Sequence, residues 1–293
     1  MPKTRLLAAT GKSQDRGELA AGLYVLATPI GNARDISLRA LDVLKACSVI
    51  AAEDTRVTAK LLAIHGIRKP MIPYNDHNGP DMRPRILARL EQGEAVALVS
   101  DAGTPLVSDP GYKLLREVMA AGLPVVAIPG ASAVLAGLTL SGLPSDRFLF
   151  AGFLPSKAGE RQSALEEFKS LRATLIFFES AQRLGETLHA MVEVLGERHA
   201  AVARELTKLH EEVRRGPLGE LAAHYAEAGA PRGEVTLLVG PPGGTSTDTA
   251  KVDAALKAAL AFMPVKPAAD MIAGLTGASR KLLYDRALEL KKN

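Results

Sequence analysis

The chain has 293 residues, 47% of them hydrophobic and 4% aromatic, with no tryptophan and a formal charge of +4. That length accommodates two domains and a small appendage, while the scarcity of aromatic side chains argues against a β-sandwich or a stacking platform for single strands. A lone cysteine, Cys47, excludes an internal disulfide or a cysteine-based metal site and fits a reducing compartment.

Residues 1–22 hold only a four-residue apolar patch, Leu6 to Ala9, and no later run approaches the length of a membrane span. The segment reads as a mobile tail, and the protein as soluble, cytoplasmic and without a membrane partner. From there strand and helix signals alternate in short steps. Strands are expected at Leu23–Thr28, Ser48–Ala52, Met71–Tyr74, Ala95–Val99 and Val125–Ile128. Helices are expected at Ile36–Ala46, Val57–His65, Pro84–Gln92 and Tyr112–Ala121, with another opening after Pro129-Gly130-Ala131-Ser132-Ala133. The run Ala95–Val99 is apolar without interruption, as in a strand buried on both faces. Residues 23–145 therefore read as an α/β domain with a mostly parallel sheet and helices on both faces.

The turn-rich stretch Gly142–Arg147 marks a hinge, after which the pattern changes. Strands are expected at Phe148–Phe153, Thr174–Phe178, Ala200–Arg204, Glu211–Arg215 and Glu234–Val239, and helices at Glu160–Lys169, Arg183–Leu195 and Leu218–Ala228. The short connection Glu205–His210 calls for antiparallel neighbours, so 146–241 reads as a second α/β domain with a mixed sheet. Residues 242–250 have linker composition. Beyond them, 251–293 reads as a small helical module with helices at Val252–Phe262, Lys266–Gly274 and Ser279–Lys291, the last two joined through Gly277 at helix-turn-helix spacing. Its basic residues Arg280, Lys281, Arg286, Lys291 and Lys292 suit either nucleic-acid contact or the solvated face of a dimerising or capping module.

Five loops leave the carboxyl ends of the first set of strands: Thr28–Asn32, Glu53–Arg56, Asp76–Asn78, Asp101–Asp109 and Pro129–Ala133. Open α/β sheets bind ligands at that edge. In Ser100–Gly111, Gly103 and Gly111 permit close approach of the backbone, and Asp101 and Asp109 add negative charge, so the ligand expected is cationic or rich in hydroxyls. The Pro29-Ile30-Gly31-Asn32 turn, with Glu53 downstream, lacks the glycines of a dinucleotide fingerprint. A nucleophile elbow, a phosphate loop and metal-ligand spacing are missing as well, and no metal is expected. His77 alone among six histidines falls in one of these loops, as a base or as a solvated side chain.

Thr28–Asn32, Ala52–Arg56, Ser100–Gly111, Pro129-Gly130, Gly142–Phe148, Gly152–Pro155, Phe178-Glu179-Ser180 with Arg183, and Ala203–Lys208 together resemble the tetrapyrrole methylase superfamily. Those enzymes use S-adenosylmethionine and have two α/β domains. Within the superfamily the motifs are most similar to the branch that methylates the 2′-hydroxyl of a cytidine in the decoding region of 16S ribosomal RNA. The resemblance implies a cofactor lodged in the cleft between the domains and held by Pro29, Asp101, Ala102, Gly103, Thr104, Val107, Ser132 and Ala133, with Glu179 and Gly216 from the second domain. It also implies 16S rRNA or the small ribosomal subunit as partner, and a homodimer. Porphyrin-modifying relatives carry Gly-Gly-Asp-Pro where this chain has Ala102-Gly103-Thr104-Pro105, which disfavours a tetrapyrrole substrate. A general base would come from Asp54, His77, Glu205 or Lys208, with Arg204 and Glu205 alternatively forming a structural ion pair. Phosphate contacts would come from Arg83, Arg85, Arg89, Lys157, Arg161, Arg183, Arg214, Arg215 and the basic last helix. Rival readings are a methylase of a small tetrapyrrole, a nicotinamide-dependent oxidoreductase and a non-enzymatic nucleic-acid binder built on 251–293.

Overall fold

The computed structural model describes residues 19–242, 249–276 and 278–292; the expected tail up to residue 18, the linker at 243–248 and the Gly277 turn lie outside the described residues. Two compact units emerge, one running to Ala136 and including Glu205–Glu211, the other formed by Gly137–Arg204 and the chain from Glu212.

In the first unit, strands β1 (Gly22–Leu26), β2 (Val49–Ala52), β3 (Met71–Pro73), β4 (Ala95–Val99) and β5 (Val125–Ile128) form an all-parallel sheet in the order β3-β2-β4-β1-β5. Successive strand side chains point to opposite faces, and each face meets its own helices. Tyr24, Leu26, Ile50 and Ala97 pack with Ala40 and Leu44 of α1 (Leu38–Ala46) and Leu62 of α2 (Thr55–Ile64). Leu23, Val49, Val96 and Leu98 pack with Ile86 and Leu90 of α3 (Gly79–Glu91) and Leu114 and Val118 of α4 (Tyr112–Ala120). All five residues of β4 are buried, as the unbroken apolar run requires. Cys47, just past α1, is fully buried, its thiol 3.6 Å from the Leu44 carbonyl and its pKa raised chiefly by burial.

Helix starts follow the caps. Ser37 accepts the Ala40 amide at 3.1 Å and Asp54 that of Arg56 at 2.8 Å, so α1 begins after Ile36 and α2 before Val57. The third helix begins at Gly79 rather than at the expected Pro84. Pro80 takes the favoured first-turn position, where a missing N–H costs nothing, and Pro84 is carried within the helix.

The second unit holds β6 (Phe148–Phe153), β7 (Thr174–Ser180), β8 (His199–Arg204), β9 (Glu212–Pro217) and β10 (Glu234–Val239) in the order β6-β7-β10-β8-β9. Only β6 and β7 run parallel; the other pairs are antiparallel, making a mixed sheet. Leu175, Phe177, Val202 and Leu237 pack with Leu165 of α6 (Ala158–Phe168), Leu188 and Met191 of α7 (Leu184–Leu195) and Leu221 of α8 (Leu218–Ala228). Helix α5 (Ala133–Ser141) contains the division between the units, and its Gly137 lies against β10: a Cβ there would stand 3.1 Å from Thr236 Cγ2. Helices α9 (Thr249–Leu260), α10 (Val265–Thr276) and α11 (Arg280–Lys292) share a core of Val252, Leu256, Ala269, Ile272, Leu283 and Ala287.

Candidate active site

Strands β1 and β2 hand the chain to helices on one face, while β4, lying between them, hands it to α4 on the other. At the carboxyl end of β4 the connections diverge, and that point of strand-order reversal is where open α/β sheets hold their ligands. The β1 and β4 loops are stitched across it. Thr28 and Gly103 exchange main-chain hydrogen bonds of 2.8 and 3.1 Å, and the Thr28 hydroxyl donates to the Ser100 carbonyl at 3.1 Å. The Thr104 hydroxyl donates to the Ala131 carbonyl at 3.4 Å, adding the loop after β5.

Gly103 has φ +82°, and in the same loop Leu106 and Ser108 hold φ of +75° and +64°. A non-glycine residue in that region costs about 1–3 kcal/mol and persists only where its surroundings enforce it, a pattern concentrated at ligand sites.

Carboxylates gather beside this loop. The Asp101 amide donates to Glu53 at 3.2 Å, and the Asp54 amide donates to Asp101 at 3.0 Å. Burial raises the pKa of Glu53 and of Asp101. Asp109 is pushed up to about 6, chiefly by burial and further by Glu53 and Asp101, against the hydrogen bond from Ser100. Asp54 is the exception: hydrogen bonds from Arg56 hold it down at about 2. For Glu53, Asp101 and Asp109 burial outweighs every stabilising contact, Arg56 beside Asp101 included, and a positively charged ligand would relieve them.

The pKa of Asp109 sets a pH dependence. Between the ordinary carboxylate range and about 6 the folded chain holds a proton that the unfolded chain has lost. Stability therefore falls as pH rises through that window, and the deficit persists above it. Solvent screening of a half-buried group reduces the effect to about 1–2 kcal/mol. Asp109→Asn is expected to stabilise the protein by that amount near neutral pH and to flatten the window. Urea titrations at several pH values check it, and an unchanged pH profile would contradict the assignment.

The loop Glu205–Glu211 belongs to this same unit and sits on the turn after β1. A Cβ at Gly31 would overlap Lys208 Cγ and lie 3.0 Å from both Lys208 Cε and the Leu206 carbonyl oxygen. The Lys208 ammonium donates to Glu205 at 2.9 Å, and Glu211 accepts the Thr207 amide at 2.7 Å. Glu205 and Thr207 both have positive φ, +50° and +65°.

Of the sequence-derived residues, Pro29, Asp101, Ala102, Gly103, Thr104 and Val107 come together along this rim. The Ala131 contact brings in Ser132, which caps α5 through Leu135 N at 3.5 Å, and the adjacent Ala133. Asp54 is tied to Arg56 and to Asp101, whereas His77 is exposed in the β3–α3 loop. Glu179 and Gly216 lie in the second unit. The Glu179 carboxylate accepts the Thr187 hydroxyl at 2.6 Å and stands 3.5 Å from Arg183, while Gly216 pairs with Ala200 between β8 and β9.

Some expectations change. Arg204 bonds Glu212 at 2.8 Å, and Glu205, in the left-handed region, pairs with Lys208 at 2.9 Å. Arg83 is engaged by Glu117, Arg161 by the Ser156 carbonyl and Glu186, and Arg183 by the Leu154 and Pro155 carbonyls. These three guanidiniums brace their own units rather than lying open for phosphate. The Gly31–Lys208 contact escaped sequence reasoning, since its partners sit far apart in the chain and Gly31 follows no glycine pattern. Among the described residues no group of histidine, cysteine and carboxylate side chains is arranged to hold a metal ion, and no helix is long and apolar enough to cross a membrane.

Comparison with known proteins places this geometry. The model of the Tetrapyrrole (Corrin/Porphyrin) Methylases matches residues 22–222, and that of the RsmI C-terminal HTH domain matches 246–291. Ribosomal RNA small subunit methyltransferase I of Mesorhizobium japonicum is 54% identical over 274 residues, covering 93% of each chain. The protein of the same name from Pseudomonas aeruginosa is 46% identical over 275 residues, covering 92% of this chain and 98% of its own. Among solved structures, uroporphyrin-III C-methyl transferase from Thermus thermophilus, complexed with S-adenyl homocysteine, superposes with a TM-score of 0.54 at 19% identity over 74% of this chain and 96% of its own, a likeness of fold. With both its folded regions matched and its relatives aligned nearly end to end, the chain belongs to the tetrapyrrole methylases, in the ribosomal RNA small subunit methyltransferase I family.

Proposed function

We propose that this chain transfers a methyl group from S-adenosylmethionine to small-subunit ribosomal RNA, and that the acceptor is the 2′-oxygen of a cytidine ribose in 16S rRNA. The observation that carries the reading is the stitched rim of the β1, β4 and β5 loops with carboxyls whose pKa values burial raises. S-adenosylmethionine bears a sulfonium and an ammonium, which suit Glu53, Asp101 and Asp109. The bare main chain at Gly103 leaves room beside it. Pro29, Asp101, Ala102, Gly103, Thr104, Val107, Ser132 and Ala133 would hold the cofactor, with Glu179 and Gly216 contributing from the second unit. When bound, S-adenosylmethionine supplies a methyl group already activated on sulfur.

The protein's own work is then alignment and desolvation. Positioning alone is worth about 7–11 kcal/mol in well-oriented systems, and a nearby base adds about 10²–10⁴-fold. Because the carboxyls must ionise to meet a cation, cofactor affinity should strengthen from about pH 5 to about pH 7. In the same reading residues 23–145 bind cofactor, 146–241 complete the enzyme, and 251–293 add RNA contacts through exposed Lys281 and Lys291. The protein works in the cytoplasm as a homodimer.

The test is to map ribose methylation in small-subunit RNA from cells lacking the protein, then add purified protein and labelled S-adenosylmethionine. One restored 2′-O-methylcytidine is expected. Label on a base, or transfer only to a tetrapyrrole, would overturn the proposal.

A further inference from the structure

The Glu205–Glu211 loop is more constrained than a connection between antiparallel neighbours requires. Two of its residues, Glu205 and Thr207, are held at positive φ without being glycine. The Thr207 hydroxyl oxygen is buried without a hydrogen-bond partner, and the Thr207 amide is pinned by Glu211. Strain and an unsatisfied polar atom persist only where other contacts over-determine a conformation. The Lys208 stem laid over Gly31 and the Glu205–Lys208 pair are two such contacts. Gly31 itself has no positive φ, so the fold gives no conformational reason for glycine there; the reason is the space that Lys208 occupies.

The result is an ammonium and a carboxylate 2.9 Å apart, their side chains 26% and 19% exposed, fixed beside the turn that follows Thr28. Thr28 is bonded to Gly103, so the pair stands on the same rim as the cofactor loop. A hydroxyl both donates and accepts, and a neighbouring donor and acceptor that are charged and partly withdrawn from water match it. A carboxylate 2.9 Å from the ammonium repels a phosphate and leaves a hydroxyl the better fit.

We infer that Glu205 and Lys208 grip the ribose hydroxyl of the acceptor nucleotide, and that Gly31 is a positioning residue that seats them. The inference rests on the reading of a ribose in RNA as acceptor. Lys208 donates to the oxygen, Glu205 accepts its hydrogen, and Gly31 fixes where both groups stand.

The test compares binding of RNA containing the target cytidine with the same RNA carrying 2′-deoxycytidine there. It uses free RNA or the assembled small subunit, whichever the wild type methylates, with S-adenosylhomocysteine present. The wild type should prefer the ribose form roughly tenfold, as for a charge-assisted hydrogen bond. Lys208→Gln and Glu205→Gln should bring the preference to within about twofold, with S-adenosylhomocysteine still bound and the fold retained by circular dichroism. Lys208→Arg should keep part of it. Gly31→Ala, which removes no charge, should match Lys208→Gln, and the double variant should be no worse than either, since neighbouring residues acting as one unit are not additive. The inference falls if the variants keep the preference, if the wild type methylates the ribose yet shows none, or if Gly31→Ala and Lys208→Gln add. Absence of ribose methylation by the wild type would instead remove the functional reading beneath it.

Discussion

Gly103→Val is expected to lower cofactor affinity at least about 100-fold and to cost about 1–3 kcal/mol of stability. The reason is backbone conformation, not crowding. Gly103 has φ +82°, which a β-branched residue tolerates poorly, while an added Cβ would meet Ile30 Cγ2 at an ordinary 3.4 Å. Relieving the strain pulls the residue out of its paired hydrogen bonds with Thr28, and those bonds hold the β4 loop against the β1 loop. Gly103→Ala should show a smaller effect in the same direction. Calorimetric titration with S-adenosylhomocysteine, paired with thermal melting, reads both quantities. Full affinity in the valine variant would mean that this rim is not where the cofactor lies.

Glu179→Ala is expected to destabilise the second unit by about 1–3 kcal/mol. The Glu179 side chain is 1% exposed, and its carboxylate answers both the buried Thr187 hydroxyl and the Arg183 guanidinium. Truncation leaves the buried Thr187 hydroxyl and the Ser180 amide without their acceptor, while Arg183, partly exposed, keeps the Leu154 and Pro155 carbonyls. Glu179→Gln should lose less, because an amide oxygen still accepts from Thr187. Since the carboxylate is committed inside its own unit, any contact it offers a cofactor would come from its main chain. A melting temperature for the alanine variant equal to the wild type's would show that the carboxylate carries none of this load.

Much of the framework was legible because it rests on local rules. Ala95–Val99 announced a strand buried on both faces, and the alternation of strands with short helices announced a parallel sheet whose carboxyl-edge loops carry the glycines and acids. The mixed second sheet followed from the brevity of Glu205–His210. What stayed hidden was decided by groups distant in sequence. Pro84 has the composition of a helix start, yet Pro80, four residues earlier, holds the first turn and Pro84 lies within the helix. Arg204 meets Glu212 across the strand pair, a pairing eight residues apart that no local pattern announces. Arg83, Arg161 and Arg183 looked like phosphate ligands in a composition count, and each turned out to be consumed by carbonyls or acids of its own unit. Charge is visible in a sequence; whether it is already spent is not.

Cys47 gives the first unit a built-in clock. It is the chain's one cysteine, and its thiol is sealed beneath α1 at zero exposure. An alkylating reagent can reach it only when that layer comes apart, because the reactive thiolate needs both solvent and deprotonation. The rate of modification then reports how often the helix layer opens, with no second sulfhydryl to confuse the signal. A saturating cofactor that binds the closed form should slow the reaction in proportion to its occupancy.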